Sequence, residues 1–185
     1  MIITITGKPC SGKSTIAKIL VEKYGFRRIG VGDMFKAEAA KRGMSAEEFN
    51  AYCITDPAYD FFIDNETARL GKELEGQKII FDSRLAWHFV PKSFKVFVDV
   101  TDDEMAKRLA NSDRTGKEKI TDVAEAKKSL VNRFNLENER YKQIYGFDNL
   151  DMSNYDFVLD SSHNTPEELA DNLYEAYQKF CKKEK

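Results

Sequence analysis

The chain has 185 residues, 42% of them hydrophobic and 32% charged, which suits one domain with a real core and excludes a disordered, collagen-like or disulfide-dense chain. Lys and Arg number 29 against 31 Asp and Glu, so the formal net charge of -2 lacks the basic excess of a general nucleic-acid binder, though local cations could hold a small anionic ligand. Three widely spaced cysteines (Cys10, Cys53 and Cys181), two histidines and no CxxC pair argue against a zinc site or disulfide framework and for a reducing, cytoplasmic setting.

The first element is Ile2-Ile3-Thr4-Ile5-Thr6, a β-branched run that predicts a strand buried on both faces. Turn chemistry follows from Gly7 to Gly12. Lys13 to Tyr24 then carries Ile16, Ile19, Leu20 and Val21 at near-helical spacing, with Gly25 just past the end, where a helix favours glycine. Arg27 to Val31 predicts a second strand ending at Gly32-Asp33. Lys78 to Asp82 predicts a third, Phe94 to Val100 a fourth and Tyr155 to Leu159 a fifth. Capping boxes at Ser45–Glu48, Thr101–Glu104 and Thr165–Glu168 open helices, the last with Pro166 at its first position. Strands alternating with helices imply parallel pairing in a doubly wound α/β sheet of five strands. Residues 34–75 and 112–150 exceed simple crossovers and read as two insertions hinged on a single domain spanning 1–185. The apolar opening is too short for a signal peptide, and nowhere do about 18 apolar residues run together, so neither a leader nor a membrane span is expected.

Gly7-Lys8-Pro9-Cys10-Ser11-Gly12-Lys13-Ser14 fits G-x-x-x-x-G-K-[ST] between a predicted strand and a predicted helix, the context that gives this motif its meaning. A chance match in a chain of this length has a probability on the order of 1%. Backbone N–H groups must approach a triphosphate without side chains in the way, and the helix N-terminus adds partial positive charge. Lys13 can then reach the β- and γ-phosphates of ATP, and Ser14 can ligate Mg²⁺. Asp82 ends the third strand, where ligands of an open parallel sheet sit, and an acid there can hold the metal's water shell. Asp33 and Asp99 also lie near strand ends. Asp82 is favoured because it follows an apolar run placed beside the loop strand; its alternative reading is a turn-capping aspartate.

Cations elsewhere suggest a second anion site. Arg84 follows Asp82 by two residues and Lys36 follows Asp33 by three. Arg108 lies on the helix opened by Thr101, and Arg114 lies in the loop beyond it. After Asp122, an apolar stripe of Val123, Leu130, Phe134, Tyr141 and Tyr145 predicts a helix. Arg133, Glu137 and Arg140 fall within an arc of about 60° beside that stripe. That face could bring two guanidiniums to phosphates and exclude water on closing, which is what phosphoryl transfer asks for. The alternative is a surface helix with an Arg133–Glu137 i,i+4 pair.

From Ile2 to about Ser162 the chain resembles the small nucleoside monophosphate kinases, and within them the archaeal-type cytidylate kinases. The resemblance is carried by Gly7–Thr15, Gly32-Asp33-Met34-Phe35-Lys36, Lys41–Phe49, Asp56-Pro57 with Asp60 and Asp64, Phe81–Ala86, and above all Arg140-Tyr141-Lys142-Gln143-Ile144-Tyr145-Gly146. It implies a P-loop core with a monophosphate-binding insertion at 34–75 and a helical lid at 112–145. It implies ATP with Mg²⁺ as donor and CMP or dCMP as acceptor. Gly7 through Thr15, with Arg108 and Arg114, would hold the donor. Lys13, Arg84, Arg133 and Arg140 would serve the transfer. Lys36, Asp64, Arg84 and Glu137 would contact the acceptor, and Ser14 and Asp82 the metal. Departures are Lys36 for the family's arginine, which loses a forked phosphate contact, Asp82-Ser83-Arg84 for acid-Gly-Arg, and Cys10 where glycine is common. The expected partner is a small nucleotide alone, with no nucleic acid, no membrane and a monomeric chain. Rival readings are a same-fold kinase acting on AMP, dephospho-coenzyme A or shikimate, and a regulatory module that binds ATP without turnover.

Overall fold

A computed structural model describes residues 1–45, 48–49, 52–53, 58–111 and 123–183. Five strands run β1 (Ile2–Gly7), β2 (Arg27–Gly30), β3 (Ile79–Asp82), β4 (Ser93–Asp99) and β5 (Phe157–Asp160). They form one sheet in the order β2-β3-β1-β4-β5, and every pairing is parallel. The helices are α1 (Lys13–Tyr24), α2 (Val31–Lys41), α3 (Ala58–Glu73), α4 (Ala86–Phe89), α5 (Asp102–Ala110), α6 (Val123–Tyr145) and α7 (Pro166–Lys183).

β1 is central because its side chains can be buried on both faces, and all six of its residues are. Ile3 and Ile5 join Leu20 of α1 and Leu173 of α7 in one core. Ile2 faces the other way and packs with Ile79, Phe81, Ala86 and Val90. This two-residue alternation is the pleat of a strand covered by helices on both sides. The buried β1 hydroxyl of Thr4 lies 3.1 Å from that of Ser93, which donates to the Val90 carbonyl at 2.7 Å.

α1 has the predicted bounds and stops at Gly25, which takes the left-handed φ of 70° and donates to the Val21 carbonyl at 3.2 Å. The boxes at Ser45 and Thr165 close reciprocally with Glu48 and Glu168. Thr101 accepts from the Glu104 amide at 3.4 Å, but the Glu104 carboxylate turns to Arg108 instead. The second strand is shorter than expected. Helix α2 begins at Val31, so Asp33 stands in a helical first turn, where an acid suits the dipole, and not at a strand end. The fifth strand begins two residues late, because Tyr155 is drawn into the core beside Trp87 and Phe97.

Gly7 closes β1 against β4, where a Cβ would lie 2.2 Å from the Val98 carbonyl oxygen. Gly7→Ala is therefore expected to lower stability by about 1–3 kcal/mol, read from urea unfolding, and to weaken binding of an ATP analogue by calorimetry.

Candidate active site

Lys8, Pro9, Cys10, Ser11, Gly12, Lys13, Ser14 and Thr15 line a cavity of about 140 Å³ at the carboxyl edge of the sheet. Cys10 holds a φ of 57°, a left-handed conformation that glycine adopts most readily; among described residues no other non-glycine has a positive φ. Gly12 precedes α1, so the cavity opens onto a helix N-terminus.

The Asp82 carboxylate, in a residue 5% exposed, lies behind the loop lysine Lys13. Its Oδ1 lies 3.1 Å from Lys13 Nζ, yet has no well-aligned hydrogen bond. Its Oδ2 accepts from Arg28 Nη2 at 2.7 Å and Nε at 3.1 Å. Burial alone would raise the Asp82 pKa, but the Lys13 charge, the Ser14 hydroxyl and the Arg28 fork outweigh it and hold the carboxyl below the usual range. Arg28 also donates to Asp33 at 3.0 Å, so one guanidinium spans two acids. Gly30, opposite Asp82 in register, leaves room for this: a Cβ there would lie 2.2 Å from Asp33 Oδ2 and 2.9 Å from Arg28 Nη2. The third acid, Asp99, pairs with Lys8 at 2.7 Å.

Beside the loop is a second cavity of about 260 Å³, walled by Phe35, Ile63, Leu85, Tyr141, Ile144 and Tyr145 and carrying Asp64, Arg84, Glu137 and Arg140 as its charged groups. Arg84 lines both cavities. Its Nη1 donates to the Gly7 carbonyl at 3.0 Å, its Nε lies 3.3 Å from Glu137, and its guanidinium covers the Phe134 ring at 5.0 Å. Glu137 thus pairs with Arg84 across the site. Burial pushes the Tyr141 phenol up to about 12; Glu137 adds to this, and Arg84 and Arg140 oppose it. Asp64 accepts from the Tyr145 hydroxyl.

Other expected residues lie elsewhere. Arg108 braces the loop from behind, donating to the Cys10 carbonyl and the Ser161 hydroxyl, both at 3.1 Å. It borders a third cavity with Ser11, Gly12, Thr15 and Asn164. Lys36 is exposed on α2 and is not part of the second cavity's wall. Arg114 and the Arg133 side chain lie outside the described residues. Sequence reasoning missed Arg28. Its signal is faint: a cation on a short strand that pairs beside an acid-ended one.

A family profile described as AAA domain matches residues 3–144. The cytidylate kinase of Methanocella arvoryzae is 31% identical over 182 residues, covering 98% of this chain and 99% of that protein. The cytidylate kinase of Methanosarcina mazei is 37% identical over 161 residues, 87% of either chain. The chain belongs to the cytidylate kinase family. As a member it is an enzyme, a nucleoside monophosphate kinase built on an ATP-binding P-loop. Shikimate kinase from Bacteroides thetaiotaomicron superposes with a TM-score of 0.65 over 96% of this chain and 98% of its own, but at 14% identity it shares the fold alone. No described helix is long and apolar enough to cross a membrane.

Because its folded pKa is depressed, Asp82 contributes stability that is fully present above the unfolded aspartate value of about 3.9. That contribution is lost as pH falls through the lower folded value. Asp82→Asn should therefore cost on the order of 2–3 kcal/mol at pH 7, and the gap to wild type should shrink below about pH 4 in urea unfolding.

Proposed function

We propose that the chain transfers the γ-phosphate of ATP to CMP or dCMP, with Mg²⁺. The observation that carries this reading is Arg84, which lines the phosphate-loop cavity and the second cavity together. A guanidinium at that junction can neutralise an acceptor phosphate while it meets the donor's terminal phosphate. In the transfer, an acceptor phosphate oxygen forms a bond to the γ-phosphorus, the bond to the β,γ-bridging oxygen breaks, and ADP leaves. The acceptor is already anionic, so no strong general base is needed.

Lys13 leaves Asp82 to meet the donor phosphates. Arg28 stays on Asp82 and keeps it ionised. Arg140, on the wall of the second cavity, adds positive charge near the moving group, and Arg133 is assigned the same role by the family pattern. Glu137 orients Arg84. Arg108, beside the third cavity, lies where the donor's nucleoside end can rest, and Arg114 joins it by family pattern. Lys36 is assigned to the acceptor phosphate and, from its exposed position, must approach by movement of α2.

Mg²⁺ fits the residues present. The Ser14 hydroxyl and the buried, incompletely bonded Asp82 Oδ1 are the hard oxygen donors it prefers, and it commonly takes one or two carboxylates besides phosphates. When bound, it supplies neutralising charge to the donor's phosphates. Residues 34–75 as a monophosphate-binding insertion and 112–145 as a lid would exclude water on closing. A small-nucleotide partner, a monomeric chain and a cytoplasmic setting complete the reading.

A coupled assay over CMP, dCMP, UMP, AMP, dephospho-coenzyme A and shikimate tests it. CMP or dCMP is expected to give the highest kcat/KM. Lys13→Ala and Arg84→Ala should each lower kcat by roughly 10²–10³. All three pyrimidines inert while another acceptor turns over would refute the acceptor assignment. Loss in Lys13→Ala with full activity in Arg84→Ala would leave ATP hydrolysis or ATP sensing as the better reading.

A further inference from the structure

Arg28 joins two parts of the molecule that its neighbours keep apart. Its guanidinium grips Asp82 Oδ2 through Nη2 at 2.7 Å and Nε at 3.1 Å, and its Nη1 donates to Asp33 Oδ2 at 3.0 Å. Asp82 ends β3 beside Lys13, at the phosphate loop. Asp33 stands in the first turn of α2, and Val31, Gly32 and Phe35 of that same stretch line the second cavity. Further along α2, Ala39 packs with Phe49 and Cys53, and the Phe35 and Phe49 rings lie 4.8 Å apart. One side chain of β2 thus straps the strand end that carries Asp82 to the helix that begins the insertion.

Folding alone does not account for the Asp33 arm. The Asp33 side chain is 60% exposed, and an ion pair so close to water adds little to stability. Yet β2 keeps a glycine at the spot where the two side chains meet. Gly30 has ordinary extended dihedrals, φ -87° and ψ 107°, so its backbone does not call for glycine. A Cβ there would lie 2.2 Å from Asp33 Oδ2 and 2.9 Å from Arg28 Nη2, and it would push the carboxylate off the guanidinium. The missing side chain makes room for a contact that stabilises little. We propose that Arg28 is a positioning residue for the phosphoryl transfer: by holding Asp33 and Asp82 on one planar fork, it sets the wall formed by Val31, Gly32 and Phe35 against the phosphate loop. This rests on the reading above that the second cavity takes the acceptor. Arg28 touches no reacting atom and acts through α2. A wall held in place favours the bound acceptor before and during the transfer alike, so its loss appears in KM more than in kcat. Lysine at this position would keep a charge beside Asp82 but lose the fork that spans both acids.

The test uses Arg28→Lys, Asp33→Ala, the double variant and Gly30→Ala. It measures kcat, KM for ATP and KM for CMP, or for whichever of UMP and AMP turns over faster. Calorimetry adds the Kd of that monophosphate without ATP or metal. Each single variant should raise the monophosphate KM and Kd about three- to tenfold, with kcat and the ATP KM within about twofold. In the double variant the two losses should not multiply, because both break one contact. Gly30→Ala should match them with every charge retained. Unchanged monophosphate KM and Kd in a folded Arg28→Lys overturns the proposal, as does a loss confined to urea stability or to ATP. So does multiplication of the two effects in the double variant. Should circular dichroism show Arg28→Lys unfolded, Asp33→Ala and Gly30→Ala decide: a raised monophosphate KM in both supports the proposal, and constancy in either overturns it. Phe35→Ala separates the proposal from the reading beneath it. A raised monophosphate KM there, with Arg28→Lys flat, overturns the role of Arg28 alone. No effect of Phe35→Ala puts the acceptor elsewhere and overturns both.

Discussion

The Asp82 carboxylate, buried at the end of β3, stays ionised only because cations from two other elements reach it. Lys13 comes from the first turn of α1 and Arg28 from the neighbouring strand β2. The two differ in what they can do next. Arg28 grips Asp82 with two N–H groups and Asp33 with a third, a forked geometry that resists displacement. Lys13 makes one ion contact on a flexible stem. A ligand's phosphates can draw Lys13 away without leaving a buried charge uncompensated. The same pair of contacts therefore stabilises the carboxylate and leaves Lys13 the more readily displaced of its two cations.

Around that carboxylate the sheet edge sorts its acids. Asp33 shares Arg28 with Asp82, and Asp99 pairs with Lys8, so each surface acid meets a cation. Of these three acids only Asp82 combines deep burial with an oxygen that lacks a well-aligned hydrogen bond. Burial at the edge of the parallel sheet is what separates this acid from the two solvated ones.

Arg84 and α6 join the loop to the second cavity. The body of α6 is tied to the core by a chain of buried polar groups. Trp87 donates to Asn149 at 2.6 Å, Asn149 donates to Asn138 at 3.1 Å, and the Tyr155 hydroxyl donates to the Asn149 carbonyl at 2.8 Å. Each such group would be expensive to leave unpaired, so this network pins the helix from Asn138 onward. Glu137 and Arg140, beside that anchor, are held on the wall of the second cavity.

Local rules were enough to read much of this from the chain. The glycine loop, the bounds of α1, two reciprocal capping boxes and a five-stranded parallel sheet all follow from spacing, turn chemistry and β-branched runs, which act over a few residues. Asp82 could be preferred to Asp33 and Asp99 because its strand was apolar enough to lie inside. The Arg28 clamp, the pairing of Glu137 with Arg84, the role of Arg108 behind the loop and the Asp64–Tyr145 contact were not legible. Each joins side chains from separate elements, some more than fifty residues apart, and which charges meet depends on how the strands order themselves and the helices pack against them. A charged side chain announces in sequence only that it needs a partner. The partner is chosen when burial removes water as the alternative.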